Sequence, residues 1–198
     1  SCVADPAIEV DSMIAGDRNA LMVAIRITGY GSAYNIKSID CPSCGKKSEQ
    51  SFDLSQLSIK SLEIEPVAPG ENLFEFKLPI SGHLVRYKYL TGKDDRDLSQ
   101  LSEKKKKLNL SHEDSVTSAL AFSIVSVVTK TAEITDKTKI SMFVQGMPAR
   151  DSLALRSFME KNEPGIDMKS DMSCPHCGEE SEVRLPLEAS FFWPDADR

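Results

Sequence analysis

The sequence predicts an α+β fold, a helical core joined to antiparallel hairpins, and three observations carry that expectation. Two short stretches, Cys41-Pro42-Ser43-Cys44-Gly45 and Cys174-Pro175-His176-Cys177-Gly178, are each flanked by residues that alternate with period two. A further alternating pair, between Phe74 and Tyr89, carries no cysteine. From there to the second cysteine stretch, apolar residues recur at spacings of three and four, as helices require.

Taken in order, Asp17 is placed to cap a first helix whose inner face is Leu21, Ala24, Ile25 and Thr28, with Gly29 or Gly31 to stop it. That helix delivers the chain into the first cysteine hairpin, which Tyr34 and Ile36 enter and Phe52 and Leu54 leave. Gly45 follows the second cysteine, where a tight turn needs a positive φ that glycine adopts without strain. Val67-Ala68-Pro69-Gly70 reads as loop. Phe74, Phe76 and Leu78 then alternate into Ser81-Gly82 and out through Leu84, Arg86 and Lys88 or, on the other face, Val85, Tyr87 and Tyr89, a hairpin with a short polar turn.

Thr91-Gly92 closes that hairpin, and Asp94, Asp95 and Asp97 open a helix carrying Leu98, Leu101 and Leu108, with Lys104–Lys107 at its far end. Acid at the start and base at the end are what the helix macrodipole favours, so neither cluster is read as a site. Ser111-His112-Glu113-Asp114 resembles a capping box ahead of a helix with Val116, Leu120, Ile124, Val127 and Val128 on its apolar face. Asp136 begins another, carrying Ile140, Phe143 and Val144 and ended by Gly146. Pro148 sits near the first turn of the next, where its missing N–H costs little, and Leu155, Phe158 and Met159 mark its buried side. Pro164-Gly165 ends it and leads into the second cysteine hairpin, with Ile166, Met168 and Met172 going in and Val183, Leu185 and Leu187 coming out.

A C-x-x-C pair turns two thiolates toward one point, and a tetrahedral metal needs four ligands, so two such pairs complete one structural site. The sequence therefore predicts one closed zinc centre held by Cys41, Cys44, Cys174 and Cys177, with the two hairpins clasped tip to tip as a zinc ribbon. Cys174-Pro175-His176-Cys177 also spells an active-site motif of thiol-disulfide oxidoreductases, but such a motif opens a helix. Here Glu180 to Leu187 alternates with period two, and a redox site leaves the matching Cys41 and Cys44 unexplained. A chain of this length builds a core without disulfide staples. His176, between two ligands, is read as an exposed loop residue, and Cys2 as a thiol outside the site, buried or at a frayed end. The expected organisation is a single α+β domain over 1–198, with the ribbon formed from 34–54 and 166–187 and a helical and hairpin insert over 72–163.

Of the 198 residues 40% are hydrophobic and 27% charged, the net charge is -6, and no apolar run is long enough to span a membrane. Affinity for nucleic acid comes from Lys and Arg replacing condensed counterions, so an acidic balance disfavours the alternative of a zinc-ribbon nucleic-acid-binding module. The three histidines are isolated, and no Ser-His-Asp set or phosphate-cradling glycine loop occurs, so neither an enzyme nor a small-molecule substrate is expected. Near the end, Phe191-Phe192-Trp193 places the single tryptophan beside two phenylalanines. Two readings stand: the aromatics dock onto the chain's own core, or they anchor a partner.

The order of these features resembles the T4-type baseplate hub assembly chaperone family of contractile-tailed phages. The residues that carry the resemblance are Gly16-Asp17-Arg18-Asn19-Ala20-Leu21, Thr28-Gly29-Tyr30-Gly31, the two C-P-x-C-G stretches, Asp53-Leu54-Ser55-Gln56-Leu57, Leu90-Thr91-Gly92-Lys93-Asp94, Pro148-Ala149-Arg150-Asp151-Ser152 and Phe191-Phe192-Trp193-Pro194. They span essentially the whole chain. The resemblance implies a non-enzymatic tail-morphogenesis factor, or a component of the baseplate hub, that binds other tail proteins. It also implies residence in the host cytoplasm during assembly and in the virion tail baseplate if retained. Family members begin with a further segment, so the chain, which starts at Ser1-Cys2, is expected to be N-terminally incomplete. Zinc is not common to all members, so the metal expectation rests on the cysteines themselves.

Overall fold

The computed structural model describes residues 9–107, 115–187 and 189–193; Cys2, Leu108, the box at 111–114 and Pro194 lie outside them. The chain opens with α1 (Ala15–Tyr30), β1 (Ala33–Asp40), β2 (Lys47–Asp53) and β3 (Ile59–Lys60). It continues with β4 (Phe74–Lys77), β5 (Leu84–Tyr87), α2 (Gly92–Lys107), α3 (Ser115–Ser123), β6 (Ile124–Val128) and β7 (Glu133–Ile134). It ends with α4 (Lys137–Gln145), α5 (Ala149–Asn162), β8 (Gly165–Ile166), β9 (Lys169–Ser173), β10 (Glu180–Arg184) and α6 (Ala189–Phe192). Among the described residues every strand pairing is antiparallel, so the class is α+β as expected. No helix among the described residues is long and apolar enough to cross a membrane.

The chain forms two compact units. One is built from Asn19–Lys60 and the described part of Gly165–Arg198; the other from the described part of Asp5–Arg18 and of Ser61–Pro164. Each has its own apolar core.

In the first unit, Val23 and Ile27 of α1 pack with Tyr34, Phe52, Leu54, Met168, Met172, Val183 and Leu185. The inward face of α1 is therefore rotated from the expected one: Ala24 and Thr28 are exposed, and Arg26 is buried. Arg26 ties off the helix end by donating to the carbonyls of Gly31 (2.8 Å) and Ala33 (2.8 Å). A polarity pattern assigns such an arginine to solvent and so shifts the apolar stripe. Gly31, with φ of +83°, stops the helix by returning its N–H to the Ile27 carbonyl. The β1–β2 pairing sets Tyr34 opposite Phe52, as the alternation requires, and β9 pairs β10 with Met172 opposite Ser181.

In the second unit, β4, β5, β6 and β7 form a four-stranded sheet in that order. The expected Phe74–Tyr89 hairpin is its first half, and β6 and β7 extend it. Here the expected helix through Ile124, Val127 and Val128 is corrected: α3 ends at Ser123 and the β-branched run Ile124-Val125-Ser126-Val127-Val128 becomes a central strand. Val85 pairs with Val127 and Leu84 with Val128, and both Ile124 and Val127 are fully buried. Such residues lose side-chain freedom in a helix and pack well in a sheet. Over the core side of the sheet lie Leu120, Ile140, Val144 and Leu155 from α3, α4 and α5. Asp136 caps α4 by accepting the Lys139 N–H, and Asp94 closes the start of α2 by accepting from the Thr91 N–H and hydroxyl while pairing with Lys88.

Asp151, in the first turn of α5, is fully buried and accepts the backbone N–H groups of Ile80 (2.7 Å) and Ser81 (3.0 Å), pinning the β4–β5 turn. Burial alone would raise its pKa, but these N–H donors outweigh it and hold the carboxyl below its ordinary value. A carboxylate with a depressed folded pKa stabilises the fold fully above its unfolded pKa of about 3.9, and that stability is lost as pH falls through the folded value. Asp151→Asn, which turns a donor toward one of these N–H groups, is expected to cost about 2 kcal/mol at pH 7. Denaturant melts of both proteins should show the difference shrinking below about pH 4; a difference that stays constant down to pH 2 would mean the carboxylate charge plays no part.

Candidate metal centre

Each cysteine pair sits at the tip of a hairpin, and the two tips are built alike. In the first, the Cys41 N–H donates to the Lys46 carbonyl (3.0 Å) and the Gly45 N–H returns to the Cys41 carbonyl (2.9 Å). In the second, the Cys174 N–H donates to Glu179 (3.0 Å) and the Gly178 N–H to Cys174 (2.8 Å). Gly45 and Gly178 take φ of +69° and +72°, the left-handed turn that the sequence expectation placed there. This repeated turn curls the backbone around the first sulfur of each pair.

The structure brings all four expected ligands together. The Sγ atoms of Cys41, Cys44, Cys174 and Cys177 lie within 4.8 Å of one another, and among the described residues they are the one group of this kind. Cys41 Sγ is 3.8 Å from Cys177 Sγ, and Cys44 Sγ is 3.8 Å from Cys174 Sγ. Sulfurs about 2.3 Å from the centre of a regular tetrahedron are separated by about 3.8 Å, so the spacing suits one zinc-sized ion. It is far too long for a disulfide, and all four thiols are free. The first cysteine of each pair is 2% and 1% exposed, whereas the second faces solvent.

Electrostatics favour a cation. The backbone N–H of His176, and then that of Cys177, aim at Cys174 and hold its thiol down at about 6. At Cys177 the Glu179 N–H works in the same direction, but partial desolvation among the neighbouring sulfurs of Cys174, Cys44 and Cys41 outweighs it and pushes the thiol up to about 12. Four clustered sulfurs cannot all be thiolates unaided; a divalent ion at their centre reverses that repulsion. His176 is exposed, as expected, and its Nε2 donates to the Lys47 carbonyl (3.1 Å) on the other hairpin. Gln50 adds a second strap by donating to the Ser173 carbonyl (3.1 Å). Neither strap was legible from spacing, because both depend on the register in which the tips meet.

The aromatic stretch divides between the two readings left open for it. Phe191 is 0% exposed and meets Tyr34 edge to face at 5.1 Å, so it belongs to the core of its own unit. Phe192 is half-buried and meets Phe191 at 5.0 Å. Trp193, 6.3 Å from Phe192, is 61% exposed.

No curated protein and no solved structure matches the chain. A family model described as T4 bacteriophage base plate protein matches residues 1–193, which takes in both cysteine hairpins, the second unit and the aromatic stretch. The chain therefore belongs to the T4 bacteriophage base plate protein family.

Proposed function

We propose that this baseplate protein is a non-enzymatic factor that acts in assembly of the baseplate hub, or as part of it, by binding other tail proteins. Family membership over residues 1–193 is the observation that carries this reading. On the same reading it works in the host cytoplasm during assembly and is carried into the virion tail if retained. Cys41, Cys44, Cys174 and Cys177 would hold one structural zinc ion. Four thiolates suit that metal and leave no open position for water or substrate, as a catalytic site requires. The ribbon carries no excess of positive charge for nucleic acid: its first hairpin balances Lys37, Lys46 and Lys47 with Asp40, Glu49 and Asp53, and its second carries Lys169 and Arg184 against Asp167, Asp171, Glu179, Glu180 and Glu182.

Three measurements test the proposal. Protein purified without added metal should contain close to one zinc per chain, and iron or copper in its place would overturn the metal assignment. Affinity purification during infection should co-isolate identified hub proteins, and quantitative mass spectrometry of mature particles should show whether the chain stays in the virion. Co-isolation of nucleic acid without tail proteins would overturn the assembly role.

A further inference from the structure

A cleft of about 490 Å3 lies among α2, α3 and α4 of the second unit, within the size range of ligand-binding clefts. Its apolar lining is Leu101 from α2 with Ala121 and Phe122 from α3. The polar lining is Ser118 of α3 with Lys137, Thr138 and Ser141 of α4, which are hydroxyls and one ammonium; among the described residues no carboxylate lines it. Arg18, Arg86, Lys88, Arg96 and Lys169 each pair with an Asp or Glu. Lys137 instead donates to the Ile124 carbonyl (3.1 Å), and among the described residues it has no carboxylate in ion-pair contact. Burial, and then the nearby Lys88, hold its pKa below the usual lysine value, against a weaker pull from Asp94. An anion arriving at this rim would meet a cation that no carboxylate among the described residues contacts.

We infer that the cleft receives an acidic amphipathic segment of another tail protein, with aliphatic or aromatic anchors against Leu101, Ala121 and Phe122 and a carboxylate on Lys137. A groove walled by helices takes such a segment as a helix, with anchors at i, i+3, i+4 and i+7. The apolar floor supplies the contact area, and the positive charge of Lys137 at the rim selects acidic over basic flanks. The inference rests on the reading that the chain works by binding tail proteins, but it concerns a surface in a different unit from Trp193.

Fluorescence anisotropy on the full chain tests it, with a labelled helical peptide of about 15 residues bearing Leu and Phe at those spacings and flanked by Glu, and a second peptide with Lys in place of Glu. The Glu peptide should bind about tenfold more tightly than the Lys peptide. Lys137→Glu should reverse that order; position 137 opens α4, where an acid suits the helix, so the variant is expected to fold. Ala121→Trp, which fills the cleft, should abolish binding of both peptides. Amide chemical shifts of the unsubstituted protein should move at Phe122 and Ser141 when the Glu peptide is added, a readout that holds even if the Trp variant is destabilised. No binding, equal affinity for the two peptides, an order unchanged by Lys137→Glu, or shifts mapping elsewhere would each overturn the inference. Trp193→Ala should leave peptide binding unchanged, so failure of the cleft and failure of the tail-binding reading are told apart.

Discussion

Removing the zinc proposed for the four cysteines, or either exposed cysteine, is expected to release the tips of both ribbon hairpins at once. Cys44 and Cys174 are 130 residues apart, and closing a loop of that length costs on the order of 4 kcal/mol before any contact is made. Structural zinc sites contribute about 10–16 kcal/mol of apparent binding energy at pH 7, more than enough to offset that closure. The apolar core of the same unit joins the hairpins too, through Tyr34 and Phe52 on one and Met168, Met172, Val183 and Leu185 on the other. Metal loss should therefore act most strongly where that core gives no support. Amide exchange should accelerate first at the tips and the strand ends beside them, Asp40, Lys47, Ser173 and Glu180, with both hairpins affected in parallel. The four-stranded sheet of the second unit, with its own core, should keep its protection.

Cys44→Ser and Cys177→Ser should lower the melting temperature by similar amounts. At roughly 2–4 °C per kcal/mol for a chain of this size, even 5 kcal/mol corresponds to a fall of about 10–20 °C. One silent variant beside one unfolding variant would mean that the four sulfurs do not share an ion.

The site was legible in the sequence because its cause is local. A C-P-x-C-G stretch dictates its own turn, down to the positive φ of Gly45 and Gly178, and two copies require one another to complete a tetrahedron. The hairpins were legible for a similar reason, since alternation at Tyr34, Phe52, Phe74 and Phe76 is written into consecutive residues. What escaped depends on distant parts of the chain. Val116, Leu120 and Ile124 satisfy a helical spacing, and the helix does form as far as Ser123. The next five residues are claimed by pairing with β5, and just beyond that strand the Lys88 N–H reaches the Ser123 carbonyl at the switch (2.8 Å). Arg26 and Asp151 escaped because polarity normally marks the surface. Each is buried as the partner of backbone groups that no side chain pattern displays: the end of α1 for Arg26, the β4–β5 turn for Asp151. An acid in the first turn of a helix behind Pro148 was the available signal for Asp151.

Truncating the aromatic stretch should separate the residue that closes the core from the one we propose as a partner anchor. Phe191 is enclosed by the ribbon core, so Phe191→Ala should cost about 3–5 kcal/mol through lost burial and the cavity left against Tyr34. Trp193 loses little by truncation in the isolated chain, because most of its surface already faces water, and Trp193→Ala should change stability by no more than about 0.5 kcal/mol. A tryptophan held at the surface by a ladder of edge-to-face rings is suited to be an interface anchor, since its position is fixed before a partner arrives. Aromatic anchors in well-packed interfaces cost about 2 kcal/mol or more when truncated, which weakens binding more than tenfold. Trp193→Ala should therefore lose hub proteins in a pull-down while its thermal melt stays with that of the unsubstituted chain. A large fall in melting temperature would instead make Trp193 part of the fold, and unchanged binding would move the contact surface elsewhere, leaving Phe191 as the only residue of the stretch with a demonstrated task.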